Sequence, residues 1–366
     1  MKVGIITYDF YPFEGGIGRH IYELYKKLTE NYGIDIVVFS PNKNSIKNHV
    51  NIFGLSKKIG KNIMFSFLVN MINNNLINKY DLDLVHFHGG PGGIIFIKKV
   101  KDTPVIFTVH HTYYQQYYLI PEQKWKYIFS KFENISYKFA DKIICVSENT
   151  RDILVKNYHI EKEKIEIIPN GVDINKFRPL NNIEKIRNSI LFVGRLDERK
   201  GIKYLIKSIV LVKEMIPDIK LFIVGTGKLK KELEKFIILN NIKQNVKFLG
   251  RLSDKDLVEW YNRCEIVVIP SIFEGFGIVA IEAMACKTPI IATNVPGLNS
   301  IIKNGENGLL VPPKDSRKLA DAIVNLLNDC KLRRHLSVNG RKEVLKKFNW
   351  DIIAKRTVKI YEEVIK

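Results

Sequence analysis

The sequence predicts two α/β domains, each built on a doubly wound parallel sheet. Three observations carry that expectation. The chain has 366 residues, long for one core when domains hold about 100–200 residues each. Short β-branched runs alternate with longer helical patterns almost throughout. The short runs are nearly continuously apolar, as parallel strands are when both sheet faces are covered.

In the first half these runs fall at 3–8, 35–40, 84–88, 105–110, 142–147 and 165–169. In the second half they fall at 189–193, 220–224, 246–249, 265–270, 289–293 and 308–311. Strand–helix–strand order repeats in both halves, which predicts two doubly wound sheets. Pro169-Asn170-Gly171 and Arg178-Pro179-Leu180-Asn181-Asn182 punctuate the pattern between them. The domains are therefore expected at 1–175 and 176–349. Residues 350–366 read as one further helix, with Ile353, Val358, Tyr361 and Val364 among its apolar positions. No solenoid repeat and no low-complexity tract is present.

Hydrophobic residues make up 46% and charged residues 26% of the chain, an ordinary globular composition. No run of eighteen apolar residues lacks a charge, so no spanning helix is expected. Met1-Lys2-Val3-Gly4-Ile5-Ile6 enters a strand directly and lacks signal-peptide features. Cys145, Cys264, Cys286 and Cys330 are widely spaced and form no C-x-x-C. They read as reduced thiols of a cytoplasmic protein. The formal net charge is +20. Residues 1–175 hold 22 Lys+Arg against 17 Asp+Glu, and residues 176–366 hold 36 against 21. Such a field attracts phosphates, nucleic acid or acidic headgroups, and a solvated lysine-rich surface reads the same way.

Ligands of open parallel sheets bind at the carboxyl ends of strands. Three loops in such places carry informative residues. Tyr11-Pro12-Phe13-Glu14-Gly15-Gly16-Ile17-Gly18 follows the first strand and leads to a helix expected near Arg19. Its glycines let backbone approach a ligand, and the helix start offers N–H groups to phosphate. The spacing is not that of a dinucleotide fingerprint, so a structural turn reads equally well. Gly194-Arg195-Leu196-Asp197-Glu198-Arg199-Lys200-Gly201 places Arg195 after a strand and Lys200 at the edge of the next helix. Two cations converging there suit a diphosphate, and an ion pair with Asp197 or Glu198 is the alternative.

The most specific stretch runs from Pro270 to Ala285. Glu274 lies in the loop, and Gly275 and Gly277 open a helix. Glu282 follows eight residues later, close to two turns, and so on roughly the same side. Helix-dipole stabilisation alone explains a glutamate at a helix start. It does not explain Glu282 among Val279, Ala280, Ile281, Ala283 and Met284, where a carboxylate needs a partner.

With these residues the chain resembles glycosyltransferase family 4, retaining enzymes of the GT-B fold. The resemblance covers nearly the whole length. It rests on the Glu274/Glu282 pair, the run from Gly194 to Gly201, and the Gly15-Gly16 loop. Thr108-Val109-His110, Ser147, Pro169-Asn170-Gly171-Val172-Asp173, Val224-Gly225-Thr226-Gly227 and Phe248-Leu249-Gly250 support it. The resemblance implies two Rossmann-like domains facing a central cleft, with the helix after Trp350 crossing back to the first. It implies an acceptor-side domain at 1–175 and a nucleotide-sugar-binding domain at 176–349. Arg195 and Lys200 would then hold the donor diphosphate. Glu274 would bind sugar hydroxyls with the backbone of Gly275, Phe276 and Gly277. Glu282 would bind the ribose. Gly15 and Gly16 would bring backbone to the phosphate, and the segment Phe248-Leu249-Gly250-Arg251 would meet the base, largely through backbone. His110 would lie near the transferred sugar. His111 stands where the family often has Asp. No metal and no cofactor beyond the donor is expected, and Asp81-Leu82-Asp83 reads as a turn because it precedes a strand.

His86 and His88 share one face of their strand by period two. Acceptor lining, a structural role and metal binding are all open to them, but no third ligand is evident. Residues 112–142 are rich in Tyr, Phe, Trp and Lys, which suits either an anionic membrane surface or packing on a sheet. The expected function is transfer of a hexose-type sugar from a nucleotide-diphosphate donor to a glycan, lipid-linked or polyol acceptor. A GT-B-fold sugar-nucleotide epimerase is the alternative. Nucleic acid is not an expected partner, because no recognised binding module accompanies the charge.

Overall fold

The computed structural model describes residues 1–11, 16–41, 49–51, 61–90, 97, 100, 102–119 and 124–366. It divides into two compact units, Met1–Asn170 with Trp350–Lys366, and Gly171–Asn349. The break lies within Pro169-Asn170-Gly171, slightly ahead of residue 175.

The first unit contains, in order, β1 (Lys2–Ile6), α1 (Gly16–Tyr32), β2 (Asp35–Ser40), β3 (His49–Asn51), α2 (Lys61–Tyr80) and β4 (Leu84–Gly89). Next come β5 (Val105–Val109), α3 (Tyr113–Leu119), α4 (Trp125–Phe139), β6 (Lys142–Cys145), α5 (Glu148–Tyr158) and β7 (Ile165–Ile167). Its strands form one parallel sheet in the order β3-β2-β1-β4-β5-β6-β7. The edge strand β3 was not expected, since His49-Val50-Asn51 has no apolar run and takes strand form only by pairing with β2.

The second unit contains β8 (Ile186–Val193), α6 (Ile202–Met215), β9 (Lys220–Val224), α7 (Lys230–Leu239), β10 (Val246–Gly250) and α8 (Asp254–Arg263). It continues with β11 (Cys264–Ile269), α9 (Ile278–Ala285), β12 (Ile290–Thr293), β13 (Leu309–Val311), α10 (Ser316–Asn328) and α11 (Cys330–Lys347). Its sheet is also parallel, in the order β10-β9-β8-β11-β12-β13. The last helix, α12 (Trp350–Ile365), belongs to the first unit.

Both sheets are covered on both faces, which explains the continuous apolar runs. In the first unit, Val3, Ile5, Leu84 and Ile106 pack against Ile21 and Leu24 of α1 and Ile353 and Tyr361 of α12. The opposite face sets Val85, Phe87 and Phe107 against Phe65 and Val69 of α2, Tyr137 of α4 and Leu154 of α5. Helix starts are marked by side-chain caps, with Ser147 accepting from the Thr150 N–H and Ser253 from that of Asp256. Each strand order reverses once, between β1 and β4 and between β8 and β11. The carboxyl ends at such a reversal border the ligand crevice of a doubly wound sheet.

All four cysteines are free thiols. Among the described residues no helix is long and apolar enough to cross a membrane.

Helix α4 is unusual, because its buried side is mainly polar: Lys126, Ser130, Glu133, Ser136 and Tyr137. Glu133 accepts hydrogen bonds from the Tyr113 N–H at 2.8 Å, the Tyr137 hydroxyl at 3.1 Å, and the Tyr158 hydroxyl. Burial nonetheless pushes its carboxyl up to about 8, against the pull of these donors. A carboxyl raised in the folded state stabilises fully below its ordinary value near 4.5, and that contribution is lost as pH rises through about 8. Glu133→Gln should therefore remove this part of the decline in stability between those two pH values. Urea midpoints of both proteins across the range test it, and parallel curves would refute the assignment.

Candidate active site

In the second unit the loops leaving the adjacent strands β8 and β11 meet at the reversal point. They can do so because Gly201 has φ 65° and no side chain; a Cβ there would lie 1.9 Å from the Pro270 carbonyl oxygen. The Ile272 N–H donates to the Arg199 carbonyl at 2.8 Å, joining the loops backbone to backbone. Asp197 caps the short turn Glu198–Lys200 by accepting from the Lys200 N–H at 3.1 Å.

This packing aims side chains at Glu274. Lys200 Nζ lies 2.5 Å from Glu274 Oε2, and the Ser271 hydroxyl donates to the same oxygen at 3.3 Å. Arg199 Nη1 lies 3.8 Å from Oε1. Lys200 and Glu274 are only 14% and 13% exposed, so water screens the pair weakly. Burial by itself would raise the Glu274 pKa, but the charges of Lys200 and then Arg199 outweigh it and hold the group below its ordinary value. The site therefore presents an ionised carboxylate beside two cations. The carboxylate can accept from sugar hydroxyls, and the cations can take phosphate oxygens.

Arg195 was expected to converge with Lys200. Instead its side chain is 73% exposed, with Nε 3.6 Å from Asp197. Arg199 takes the place beside Glu274. The sequence offered no signal for this, because only the turn Glu198–Lys200 decides which basic side chain faces inward.

Glu282 is 4% exposed in α9, and the Tyr261 hydroxyl donates to it at 2.9 Å. Tyr261 is thus a partner of the kind its apolar surroundings required. Gly277, with φ 105°, immediately precedes α9, and no side chain caps that end. Gly275 is half-buried just after Glu274, and Phe276 is buried with its ring 5.9 Å from that of Phe348. At the end of β10, Leu249 is half-buried and Arg251 exposed. Between them the Gly250 carbonyl accepts from the Gly225 N–H at 2.7 Å.

The first unit concentrates histidines at its own reversal point. Along the α1/α12 face, β4 presents Leu84, His86 and His88, and β5 presents Ile106 and Thr108, followed by His110. Both rows turn from apolar to polar toward the carboxyl ends. His86 is bound at both nitrogens, to the Tyr361 hydroxyl and the Thr108 hydroxyl, each at 2.7 Å. His88 Nδ1 lies 3.2 Å from His110 Nε2. His20, from the second turn of α1, stacks edge-on against His110 at 4.9 Å and Trp350 at 5.2 Å.

Burial lowers all four imidazoles, His20 to about 4 even though a hydrogen bond to Asn170 opposes the shift. His86 falls to about 3, through burial and then the neighbouring charge of His20. His88 and His110 also fall well below 6.5. The cluster is therefore neutral at pH 7.

His20, His88 and His110 each offer a ring nitrogen within 4.8 Å of the others, a set that can hold a metal ion. This corrects the sequence reading of His86 and His88 as a pair without a third ligand: His86 is fully engaged, and His88 has two other imidazoles. His20 was missed because its helical position carries no local mark of burial. His111 meets the Gln116 amide at 2.9 Å.

Gly15 lies outside the described residues. Gly16 opens α1, slightly ahead of the start expected near Arg19. The Gly18 N–H donates to Asp9 at 3.0 Å, so one donor of that helix start is already used.

Comparison with known proteins places this geometry in a family. Residues 173–343 match the model of glycosyl transferases group 1, and residues 14–176 match that of Glycosyltransferase Family 4. An uncharacterized glycosyltransferase of Methanocaldococcus jannaschii is 35% identical over 100% of this chain and 99% of its own length. The UDP-Gal:alpha-D-GlcNAc-diphosphoundecaprenol alpha-1,3-galactosyltransferase of Escherichia coli is 30% identical over 78% of this chain and 76% of its own. Sucrose-phosphate synthase from Thermosynechococcus elongatus superposes with a TM-score of 0.82 at 24% identity, covering 99% of this chain and 98% of that one. The fold is GT-B, and the chain belongs to glycosyltransferase family 4.

Proposed function

We propose that this glycosyltransferase retains anomeric configuration while moving a hexose-type sugar from a nucleotide-diphosphate donor to an acceptor hydroxyl. The observation that carries the reading is the partly buried Lys200–Glu274 pair, with Arg199 beside it, at the β8/β11 reversal. Lys200 holds the diphosphate, joined by Arg195 once that exposed side chain leaves Asp197, and together they neutralise the charge that develops as the bond from the anomeric carbon to the phosphate oxygen breaks. Glu274 accepts from sugar hydroxyls, helped by the backbone of Gly275, Phe276 and Gly277 and by the uncapped start of α9. Glu282 shares its carboxylate between Tyr261 and the ribose, and Leu249 and Arg251 meet the base. On the acceptor side, neutral His110 hydrogen-bonds near the transferred sugar.

The acceptor oxygen attacks the face that the diphosphate leaves, and its proton passes to the departing phosphate oxygen. No nucleophilic carboxylate is assigned, because Glu274 is committed to hydroxyl binding and ion pairing. These two cations take the part that a metal plays elsewhere, so transfer proceeds without one. The name of the E. coli relative states a UDP-sugar donor and a lipid-diphosphate-linked acceptor, which supports the same classes here. Glycan and polyol acceptors belong to the same proposal. The four free thiols fit a reducing cytoplasm.

The direct test incubates the enzyme with UDP-, GDP- and ADP-sugars and candidate acceptors and reads product anomers by proton NMR. Retained configuration, with turnover unchanged by EDTA, is expected; an inverted product or loss of turnover on chelation would overturn the respective part. Lys200→Ala should lower turnover about 100-fold or more, equivalent to about 2.7 kcal/mol. Near-normal turnover would remove its assigned role. Gly201→Ala drives a methyl into the Pro270 carbonyl at a positive φ and should destabilise the second unit by about 3 kcal/mol. Thermal melts with and without nucleoside diphosphate check this, and an unchanged melting temperature would contradict the loop packing.

A further inference from the structure

The imidazoles at the reversal point of the first sheet are of two kinds. His86 is hydrogen-bonded at both ring nitrogens, to Tyr361 and Thr108. His20, His88 and His110 are 4%, 0% and 5% exposed, and two of them are incompletely satisfied. Among the described residues, His20 Nδ1 and His88 Nε2 have no hydrogen-bond partner although both are buried. Buried polar atoms of this sort call for a partner, and a bound ion is one that supplies what protein groups do not.

The geometry of the set suits an ion. One ring nitrogen of each residue lies within 4.8 Å of those of the other two. His88 Nδ1 and His110 Nε2 are 3.2 Å apart, close to the roughly 3.3 Å between two nitrogens bound tetrahedrally to one ion at about 2.05 Å. That distance also fits a hydrogen bond, in which one of the two nitrogens carries the proton. An ion needs only the tautomers with each proton on the far nitrogen, so neither ring has to change its charge. The rings are held in place by packing. His20 lies 5.8 Å from His88, 4.9 Å from His110 and 5.2 Å from Trp350, measured between ring centres. The three come from α1, β4 and the residue after β5, so the fold rather than local sequence assembles them.

We propose that His20, His88 and His110 form a binding site for Zn²⁺, with a fourth position left for water. The donor set selects the class of metal: three imidazoles and no carboxylate suit zinc and its transition-metal neighbours, whereas magnesium and calcium take oxygen ligands. Occupancy engages a ring nitrogen of His110 and fills the space before it. Zinc therefore inhibits sugar transfer by withdrawing His110 from the sugar. This consequence rests on the role given to His110 above; the site itself does not.

Isothermal titration of the metal-free full chain with zinc chloride, and separately with magnesium chloride, tests the site. One zinc per chain and no magnesium binding are expected. X-ray absorption of the zinc complex should show three imidazole nitrogens at about 2.0–2.1 Å, and this reading needs no variant. His20→Leu should weaken binding about 100-fold or more, with the melting temperature as fold control. Cys330→Ser with His335→Ala, both exposed, should leave binding unchanged. Absence of zinc binding, sulfur among the ligands, or affinity that survives His20→Leu overturns the site. In transfer assays, saturating zinc should lower the wild-type rate about 10-fold or more relative to its own zinc-free rate. His20→Leu should resist the same concentration. Zinc bound through the three imidazoles without inhibition overturns the consequence drawn from His110 and leaves the site standing, so the two failures are distinguishable.

Discussion

The ion pair between Lys200 and Glu274 depends on where two chain segments are allowed to touch. Strands β8 and β11 are neighbours in the sheet, yet their connections depart in opposite directions, which opens a crevice at their carboxyl ends. The loops meet there only because Gly201 carries no side chain against the Pro270 carbonyl. Once they meet, a carboxylate and two cations share a poorly screened space, and their mutual attraction outweighs the burial that would otherwise protonate Glu274. The result is a polar site already charged before any ligand arrives, the preorganisation that charge-stabilising catalysis requires.

The first unit uses the same sheet order to a different end. Its reversal point gathers imidazoles rather than charges, and burial keeps them neutral. Neutral rings can donate from one nitrogen and accept at the other, which suits contact with hydroxyl-rich ligands. Tyr361 of α12 binds His86, and Trp350 stacks on His20, so the C-terminal helix holds the ring cluster together as well as covering the sheet.

A buried glutamate also determines what the unit shows to the outside. The hydrogen bonds to Glu133 fix the rotation of α4, and that rotation leaves an aromatic and aliphatic stripe facing solvent. A polar interior and an apolar exterior on one helix follow from the same few bonds.

The class of fold was legible from the sequence because parallel strands covered on both faces must be apolar throughout, and twelve such runs stood out; among the described residues only the three-residue edge strand β3 escaped. Glu274, Glu282 and Lys200 were also legible, through spacing and through the cost of a carboxylate on an apolar helix. What the sequence could not show is direction. Arg195, Arg199 and Lys200 are similar cations in one short run, and the turn geometry alone turns Arg199 inward and leaves Arg195 in solvent. His20 joins His88 and His110 only when α1 packs over β4 and β5, a contact between residues far apart in the chain. Aromatic and basic composition marked α4, but which side faced out depended on Tyr113, Tyr137 and Tyr158 reaching Glu133. Local sequence sets periodicity and charge, whereas the pairing of distant polar groups, decided by burial and hydrogen bonding, sets which side chains meet.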